Sequence, residues 1–296
     1  MAFTHHKKYE IYQNKEAKIY HADCLIALDD IDNESIDLIF ADPPYNLGKK
    51  FGNFTDIWDT DKSYIEWCFK WLDLCIKKLK PTGSLYVMTS TQAMPYIDLW
   101  LRERMSILSR IIWHYDSSGV QAKKYYGSLY EPIIFAVKNP KLYTFNASDI
   151  EIEAKTGAKR NLIDYRKAVP APYNNCKIPG NAWYMPRVRY RMAEYEEHPS
   201  QKPEVLLERI IRASSNRGDL ILDPFSGTFS TGAVAQKLGR RSINIELQED
   251  YVKIGLRRLN IATEYKGEIL KRLTKSFQKK KSGIPNDKKQ FSLGLS

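Results

Sequence analysis

Residues 219–238 read DLILDPFSGTFSTGAVAQKL, and this stretch indicates the fold more clearly than any other. The apolar run over residues 219–222 is typical of a strand, and the pattern over residues 230–238 predicts a helix. A turn, Asp223-Pro-Phe-Ser-Gly-Thr-Phe-Ser-Thr-Gly232, separates them. A second strand over residues 242–245 and a helix over residues 248–262 follow. This order predicts a βαβ unit whose ligand loop is the first strand-to-helix turn.

Upstream, the chain continues the alternation of strands and helices. Further strands are predicted over residues 17–22, 36–41, 84–88, 107–114 and 133–137, and further helices over residues 63–80 and 203–214. Pro81-Thr-Gly83 is predicted to end the first of these helices. Asp23 and Asp42 directly follow two of the strands, where open parallel sheets bind their ligands. We therefore predict an α/β fold with a Rossmann-like sheet flanked by helices.

Composition narrows the class of protein. The chain has 296 residues, 43% of them hydrophobic, which is enough for one sizeable core or a core with a smaller lobe. The net charge of +11 suggests a polyanionic partner, although the basic stretch at residues 271–281 accounts for part of it. No apolar run is long enough to span a bilayer, and the first ten residues do not resemble a signal peptide. We expect a cytoplasmic protein with reduced thiols at its widely spaced cysteines, Cys24, Cys68, Cys75 and Cys176.

Asp42-Pro-Pro-Tyr-Asn46 directly follows the strand predicted over residues 36–41. Two consecutive prolines stiffen the backbone and leave carbonyls that no neighbouring chain has to bind. The exocyclic amino group of a base is a poor nucleophile because its lone pair is delocalised into the ring. Asp42 and the Pro43 carbonyl could accept its two hydrogens and aim the lone pair at a methyl donor, while Tyr45 could stack on an extruded base. The alternative is an ordinary strand-terminating turn.

Two further motifs carry chemistry. In the turn after residues 219–222, Gly227 permits close backbone approach, and the first amides of the next helix are free donors for a polar ligand. Glu246 follows Asp223 by 23 residues, as the acidic residue that binds ribose hydroxyls does in nucleotide-binding βαβ units. Lys202, in His198-Pro-Ser-Gln-Lys-Pro203, could neutralise a carboxylate at a helix entry. A structural glycine turn and an ordinary helix start with a surface lysine are the alternatives.

In this order, the motifs resemble those of the β-group of DNA amino-methyltransferases, in which the catalytic DPPY motif precedes the cofactor motif. Residues 42–45 resemble DPPY, residues 223–231 the DPFxGxGTT cofactor loop, residues 198–203 the HPTQKP motif, and His21-Ala-Asp23-Cys the GDxL motif. The resemblance covers about residues 17–262. The runs YDSSGVQAKK (115–124), KTG (155–157) and LIDYR (162–166) look like the YhdJ-type adenine methyltransferases of enterobacteria. That subtype implies methylation of adenine at N6 within ATGCAT and a circularly permuted methyltransferase sheet.

The resemblance also implies S-adenosyl-L-methionine as cofactor and double-stranded DNA as substrate. It places the amino-group site at Asp42, Pro43, Pro44 and Tyr45. For the cofactor, it places the adenine end at Asp23, the ribose hydroxyls at Glu246 and the methionine carboxylate at Lys202. The residues that it places around the methionine and ribose are Asp42, Asp223, Phe225, Ser226, Gly227 and Thr228. Since the sulfonium methyl is itself a strong electrophile, we expect neither a metal nor a covalent enzyme intermediate. Phe229 stands where the family usually has a second glycine, which puts close backbone approach at that point in doubt.

Residues 139–197 interrupt the alternation with several prolines among tyrosine, asparagine, arginine and lysine, and we predict a target-recognition insertion there. Its predicted DNA contacts are basic side chains: Lys155, Lys159, Arg160, Arg166, Arg187, Arg189 and Arg191. Interleaved aromatic residues, Trp183 among them, could fill the gap left by a flipped base or form the core of a small lobe. The chain is thus divided into a catalytic half (1–138), the insertion, a cofactor-binding half (198–265) and a basic polar tail (266–296).

Several alternatives stay open. The acidic Asp42 favours adenine over cytosine, since the cytosine-N4 enzymes commonly carry Ser-Pro-Pro-Tyr, but an enzyme acting on cytosine N4 or on RNA is compatible with the same scaffold. No cysteine follows a proline, which argues against methylation at carbon 5 of cytosine. A non-catalytic DNA-binding regulator is the alternative from another class, and Asp42, Tyr45 and Glu246 argue against it. A monomer or a homodimer, an orphan or a restriction-modification role, and a bacterial or a phage origin are all compatible with the sequence.

Overall fold

The computed structural model describes residues 9–116, 123–155 and 160–271. Within these ranges, nine strands form one mixed sheet: β1 (Glu10–Gln13), β2 (Ala17–His21), β3 (Ile36–Ala41), β6 (Leu79–Met88), β7 (Ser106–His114), β8 (Tyr130–Val137), β13 (Ala182–Tyr184), β14 (Leu220–Asp223) and β15 (Arg241–Glu246). The remaining strands form two-stranded ribbons: β4 (Lys50–Phe51) with β5 (Phe54–Thr55), β9 (Ile152–Glu153) with β12 (Cys176–Lys177), β10 (Ile163–Asp164) with β11 (Ala171–Pro172), and β16 (Glu264–Tyr265) with β17 (Glu268–Ile269). The helices are α1 (Cys24–Asp29), α2 (Asp61–Lys78), α3 (Met94–Arg102), α4 (Glu204–Ser214), α5 (Ser230–Lys237) and α6 (Glu249–Arg258), with a 3₁₀ turn at Ala147–Ile150.

The order of strands in the sheet is β1-β2-β15-β14-β3-β6-β8-β7-β13. Neighbours from β2 to β6 run parallel, whereas β8 runs antiparallel to β6 and β7. From β14 the chain continues through α5 to β15 on one side, and from β3 through α2 to β6 on the other. The strand order therefore reverses between β14 and β3, and ligands of open α/β sheets bind outside the carboxyl ends of the strands at such a point. The predicted Rossmann-like α/β fold is confirmed.

Strand β3 lies between two hydrophobic layers, which explains its almost continuous apolar sequence, IDLIFA. Ile36 and Ile39 pack on the side covered by α1, α2 and α3. Leu38 and Phe40 pack on the other side, against residues of α4 and α5. The next residue after this strand is Asp42, at its carboxyl end, so the two layers hold the start of the DPPY segment rigidly in place.

Several boundaries differ from the sequence prediction by one or more residues. Helix α2 ends at Lys78 and β6 begins at Leu79, so Pro81-Thr-Gly83 lies inside a strand. The pairing of β3 with β6 shifts there, from Ile36 opposite Leu79 to Leu38 opposite Ser84, so that the proline, which cannot donate to a ladder, lies in a bulge. Helix α6 ends at Arg258 rather than at residue 262, and the predicted start of α4 at Pro203 is its N-cap.

The segment predicted as an insertion also contributes to the sheet. Strand β13 pairs in parallel with β7 at its outer edge, Ala182 lying opposite Ile112. The ribbon of β16 and β17 occupies the boundary between the predicted cofactor half and the predicted tail, and residues 272–296 of that tail lie outside the described ranges. The division of the chain at residues 138, 197 and 265 stays a prediction.

None of the helices in the described part of the chain is both long and apolar enough to cross a bilayer. All four cysteines are free thiols, as expected from their spacing. Cys24, Cys68 and Cys75 are buried and Cys176 is exposed. Burial raises the pKa of the Cys24 thiol well above its usual value, so this cysteine is a neutral core residue.

Candidate active site

The loop after β3 is held by a buried carboxylate that the sequence reading did not single out. Asp56 is 1% exposed, and it accepts the backbone amides of Tyr45, Leu47 and Lys49. The Tyr64 hydroxyl donates to the Pro44 carbonyl at 3.0 Å. Asn46 has a φ of 58°, a left-handed conformation that asparagine tolerates, and its side chain accepts the Trp58 amide at 3.0 Å. The DPPY segment is thus fixed by its prolines and by side chains from the following loop and α2.

Asp42 belongs to a largely buried cluster of four polar side chains. Its carboxylate lies 2.6 Å from the Lys202 ammonium and accepts the Tyr45 hydroxyl at 2.7 Å. Glu131, in β8, lies 3.4 Å from the same ammonium and 3.1 Å from the same hydroxyl. Lys202 and Tyr45 therefore each lie between two carboxylates.

The environment of this cluster shifts every pKa in it. Burial raises the pKa of Asp42 above its usual value, although Lys202 opposes that shift. Burial acts in the same direction on Glu131, but Lys202 and the Tyr45 hydroxyl outweigh it and hold its pKa below the usual value. For Lys202, burial would lower the pKa, yet the two carboxylates hold it above the usual value. Lys202 is therefore an ammonium at neutral pH, and Glu131 a carboxylate.

The cofactor loop between β14 and α5 is held from within. The buried carboxylate of Asp223 accepts the Phe225 amide at 2.9 Å and the Thr231 hydroxyl at 2.6 Å. The Ser226 hydroxyl donates to the Asp223 carbonyl at 2.9 Å, and the Thr228 hydroxyl accepts from Arg258 at 3.2 Å. The side chains of Asp223, Ser226 and Thr228 are thus engaged in shaping the loop.

Glu246, at the end of β15, faces this loop. Its carboxylate accepts the Gly227 amide at 2.8 Å through one oxygen and the Gln248 amide at 2.8 Å through the other. Burial raises the pKa of Glu246 to about 7, against these two hydrogen bonds. Each carboxylate oxygen has a second lone pair, so Glu246 can still accept from a pair of ligand hydroxyls.

A cavity opens between the cofactor loop and the DPPY segment, with about 870 Å³ of empty space including its mouth. Asp23, Glu246 and Gly227 line it, together with Phe225 and Asp42. Its walls also contain five aromatic side chains, Phe51, Phe54, Trp58, Trp67 and Tyr251. Flat rings suit a purine, and the acidic side chains at two strand ends suit ribose hydroxyls and an exocyclic amine, so the cavity fits S-adenosyl-L-methionine.

A second, more polar cavity adjoins the first. It is lined by Asp42, Pro43, Tyr45, Lys49, Phe51, Asp56, Trp113, Glu131, Arg187, Ser200, Gln201 and Lys202. Asp42 and Pro43 also line the first cavity. Phe51 and Ser200 line both cavities as well, so the two residues that the sequence predicts to hold an amino group are half of the boundary that the cavities share.

The positions of the Lys202 and Phe229 side chains could not be read from the sequence. The ammonium of Lys202 contacts Asp42 and Glu131, in addition to the Ser200 carbonyl at 3.3 Å. The Phe229 ring, fully buried, packs in the core with Ile19 and residues of α6, away from the cavity. Its backbone has a φ of 59° and supplies the left-handed conformation that a glycine would otherwise provide. The missing glycine of the loop is thus replaced by a residue whose side chain turns into the core.

The predicted DNA contacts fall at different places. Arg187 lines the polar cavity and lies over the Tyr115 ring, 5.2 Å from its centre. Arg166 is paired with Asp164, and Arg189 donates to the Asp116 carbonyl. The other basic residues are exposed, namely Lys155, Arg160 and Arg191. Lys159, residues 117–122 of the YDSSGVQAKK run, and Thr156 and Gly157 lie outside the described ranges.

Two of the interleaved aromatic residues illustrate both alternatives for that segment. Trp183 is buried in the core beside Trp113 and Met185. Tyr165, by contrast, is 79% exposed. Among the described residues, no group of three histidine, cysteine, aspartate or glutamate side chains is arranged to hold a metal ion. A reaction without a metal stays a prediction.

Taken together, a topological switch point, a cavity with acidic and aromatic walls and an adjoining polar cavity are typical of an enzyme that transfers a group from a nucleotide-like cofactor to a polar substrate atom. The profile of the DNA methylase family matches residues 36–257. The chain belongs to this family.

Individual relatives agree with that assignment. The chain is 56% identical over 264 residues to the DNA adenine methyltransferase YhdJ of Escherichia coli K12, covering 89% of this chain and 90% of the relative. The solved PvuII DNA methyltransferase, which is cytosine-N4-specific, superposes with a TM-score of 0.64 at 19% identity, over 84% of this chain and 88% of that one. The complex of M1.HpyAVI with S-adenosylmethionine superposes with a TM-score of 0.58 at 24% identity, over 82% and 99%. The predicted family, fold and enzyme class are confirmed, and the predicted cofactor agrees with them.

Sequence reasoning missed Glu131, Asp56 and the aromatic walls of the cofactor cavity. Glu131 belongs to β8, which runs antiparallel to its neighbours, so the rule about carboxyl ends of parallel strands did not point to it. An acidic residue just before the apolar run at residues 133–137 was the one available signal. For the aromatic walls, the signal was the density of aromatic residues between Phe51 and Trp71.

Proposed function

We propose that this protein is a site-specific DNA methyltransferase that methylates N6 of an extruded adenine with S-adenosyl-L-methionine as donor. The observation that carries the proposal is that Asp42 and Pro43 line both a cavity with acidic and aromatic walls and an adjoining polar cavity. The base is supported by the acidic Asp42 and by the name of the relative at 56% identity, a DNA adenine methyltransferase. An extruded base is required because the target atom is out of reach inside a duplex.

Binding of the cofactor is assigned to the first cavity. Glu246 accepts the ribose hydroxyls with the lone pairs that its backbone contacts leave free, and Asp23 faces the adenine end. Phe225 packs on the rings of Trp67 and Trp71, at centroid distances of 5.8 and 5.1 Å, which fixes its ring at the cavity wall. When bound, S-adenosyl-L-methionine supplies an electrophilic methyl group.

Alignment is the main task of the protein in the chemical step. Tyr45 stacks on the extruded base, and its position is fixed by the hydrogen bond of its hydroxyl to Asp42. The Asp42 carboxylate and the Pro43 carbonyl accept the two amino hydrogens, which turns the nitrogen lone pair toward the first cavity. The nitrogen then loses one proton, and the Asp42 carboxylate is the base in contact with it.

The DNA interface is assigned to the surface around the polar cavity. Arg187 lines that cavity. Phosphate or base contacts from residues 139–197 are assigned to Lys155, Lys159, Arg160, Arg166, Arg189 and Arg191. The partner is double-stranded DNA, and ATGCAT is the target that the YhdJ-type motifs suggest. A palindromic target fits a homodimer or two successive visits by a monomer. We further propose that the enzyme acts in the bacterial cytoplasm.

Replacement of Asp42 tests the assignment. We expect Asp42→Ala to lower methyl transfer to duplex DNA by about 100-fold or more, because the amino group loses its charged acceptor, while DNA affinity is retained. Asp73→Ala is the matched control, since Asp73 is a half-exposed carboxylate of α2 that pairs with Lys77 across one helical turn. Methylation by Asp42→Ala at the parental rate would remove Asp42 from the mechanism.

The nature of the modified base needs a separate measurement. Mass analysis of nucleosides from DNA of expressing cells should show N6-methyladenine, and long-read modification sequencing reports the motif. N4-methylcytosine would overturn the choice of base and keep the enzyme class. Absence of S-adenosyl-L-methionine binding at about millimolar concentration, which is far weaker than an enzyme needs, would instead favour a DNA-binding regulator.

A further inference from the structure

The buried polar cluster contains one carboxylate more than the mechanism above uses. Tyr45 has a single O–H, so it donates to Asp42 at 2.7 Å or to Glu131 at 3.1 Å, but not to both at once. Lys202 is closer to Asp42, at 2.6 Å, than to Glu131, at 3.4 Å. In the absence of a base, the cluster therefore has both donors directed mainly at Asp42.

An incoming amino group competes for the same carboxylate. Lys202 and Tyr45 each occupy one oxygen of Asp42, so the amino hydrogen has to share an oxygen with one of them, which weakens the hold of Asp42 on that donor. A donor that leaves Asp42 has to find another acceptor, because an unpaired donor in this largely buried cluster is costly. Glu131 lies within reach of both donors, and its other oxygen is held by the Tyr115 hydroxyl at 3.4 Å.

We propose that Glu131 is a positioning residue, which takes over Lys202 and Tyr45 when Asp42 turns an oxygen toward the amino group of the target base. This inference rests on the proposed function and adds to it the means by which the catalytic carboxylate becomes available. Glu131 touches neither the reacting nitrogen nor the methyl group in this scheme. It acts through the two donors that it shares with Asp42.

Charges around the cluster determine how the loss of Glu131 shifts the pH profile. The groups that face it come from several elements: Asp42 and Tyr45 after β3, Lys49 and Asp56 in the following loop, Tyr115 at the end of β7, Arg187 after β13 and Lys202 before α4. The negative charge of Glu131 raises the pKa of Asp42 and that of Lys202. Removal of this charge lowers both values, so both limbs of a bell-shaped rate profile move to lower pH.

The test compares wild type with Glu131→Gln and Glu131→Asp. Methyl transfer to a duplex oligonucleotide is measured against pH under saturating substrate, and binding of S-adenosyl-L-methionine is measured by calorimetry. For Glu131→Gln we expect kcat to fall by about ten-fold or more and both limbs of the pH profile to move to lower pH. Affinity for the cofactor should stay within about two-fold of the wild-type value, because the Glu131 side chain does not line the first cavity. Glu131→Asp keeps the negative charge on a shorter side chain. Both limbs of its pH profile should therefore stay at the wild-type pH, and its kcat should lie between those of the wild type and Glu131→Gln.

Glu66→Gln is the control, because Glu66 is an exposed carboxylate of α2 whose ion pair with Lys62 is long and solvated. A lower kcat of Glu131→Gln with an unmoved pH profile would make Glu131 a merely structural residue and overturn the inference, and so would an unchanged kcat. If Glu131→Gln does not fold, Glu131→Asp provides the test. A wild-type kcat in Glu131→Asp would overturn the inference, because the shorter side chain should not reach both donors. Failure of the wild-type protein itself to methylate DNA would refute the proposed function instead.

Discussion

Gly255 in α6 and Phe229 in the cofactor loop are packed so closely that a single methyl group at residue 255 should disturb the loop. A Cβ at Gly255 would lie 2.5 Å from Cδ1 of Phe229, and closer still to Cγ and Cδ2. Ordinary carbon–carbon contacts are about 3.5–4.0 Å, so more than about 1 Å of movement is needed. The ring is fully buried and cannot turn into solvent, so the helix or the loop has to move.

Overpacking of this kind costs about 1–3 kcal/mol. For a domain of this size the melting temperature of Gly255→Ala should therefore fall by roughly 2–12 °C. Phe229→Ala alone should cost about 3–5 kcal/mol, because it leaves a cavity where a large ring is packed. With the ring removed, the added methyl has room, so the double variant should be more stable than the sum of the two single changes predicts by at least about 1 kcal/mol.

Urea unfolding of the four proteins measures this coupling. Gly180→Ala is the control, because in the described part of the chain no heavy atom beyond its two chain neighbours lies within 4 Å of the Cβ that it would add. Its effect should stay within about 0.5 kcal/mol. Cofactor binding should weaken in Gly255→Ala, since Phe229 follows Gly227 by two residues in the same loop. Additivity of the two changes within about 0.5 kcal/mol would refute the claim that Gly255 is required by the Phe229 ring.

Three further predictions concern the histidine, the tyrosine and an arginine of the site. Burial lowers the pKa of His198 to about 3, and the charges of Lys202 and Lys49 act in the same direction. The neutral imidazole therefore contributes to stability above its unfolded-state pKa near 6.5, and this contribution is lost as the pH falls. Between pH 6.5 and 5 the free energy of unfolding of the wild type should fall by roughly 1.5–2 kcal/mol through this group. Urea unfolding of His198→Asn should not show this loss. Parallel dependence of stability on pH in the two proteins would contradict the prediction. Tyr45→Phe keeps the stacking ring but removes the hydroxyl that binds Asp42, so kcat should drop by about ten-fold with unchanged base extrusion, as followed by 2-aminopurine fluorescence; a parental kcat would count against the hydroxyl. Arg187→Ala should lower kcat/KM for DNA by about 10-fold or more, whereas Arg166→Ala should have a smaller effect because Asp164 already pairs with that guanidinium; equal losses would argue against a special place for Arg187.

Much of the fold was predictable because its parallel strands are buried on both faces. Strand β3 has the bounds read from the sequence, since Asp42 and the prolines end an apolar run abruptly. The short helices α1 and α3 were not predicted, because six and nine residues give too few turns for a periodic pattern. Pro81 misled the reading of α2, since its place in a bulge depends on how β6 pairs with β3.

The candidate site was predictable where it depends on adjacent parallel strands. Ile221 of β14 pairs with Leu38 of β3, so the turns that follow the two strands meet at one edge of the sheet. Asp42 and Gly227 line the same cavity for that reason. The fourth member of the cluster could not be foreseen, because Glu131 is separated from Tyr45 by 86 residues and reaches it only through the antiparallel return of β8.

The amino-acid sequence by itself determined the class of chemistry, because a proline-stiffened acidic segment and a glycine turn each follow a strand, and strands of this type align their carboxyl ends. Only the tertiary structure decided which charges meet. Lys202 contacts Asp42 and Glu131, and Phe229 turns into the core beside Gly255. Electrostatic pairing and packing act over a few ångströms in space, and residues brought that close by separate elements leave no periodic pattern along the chain.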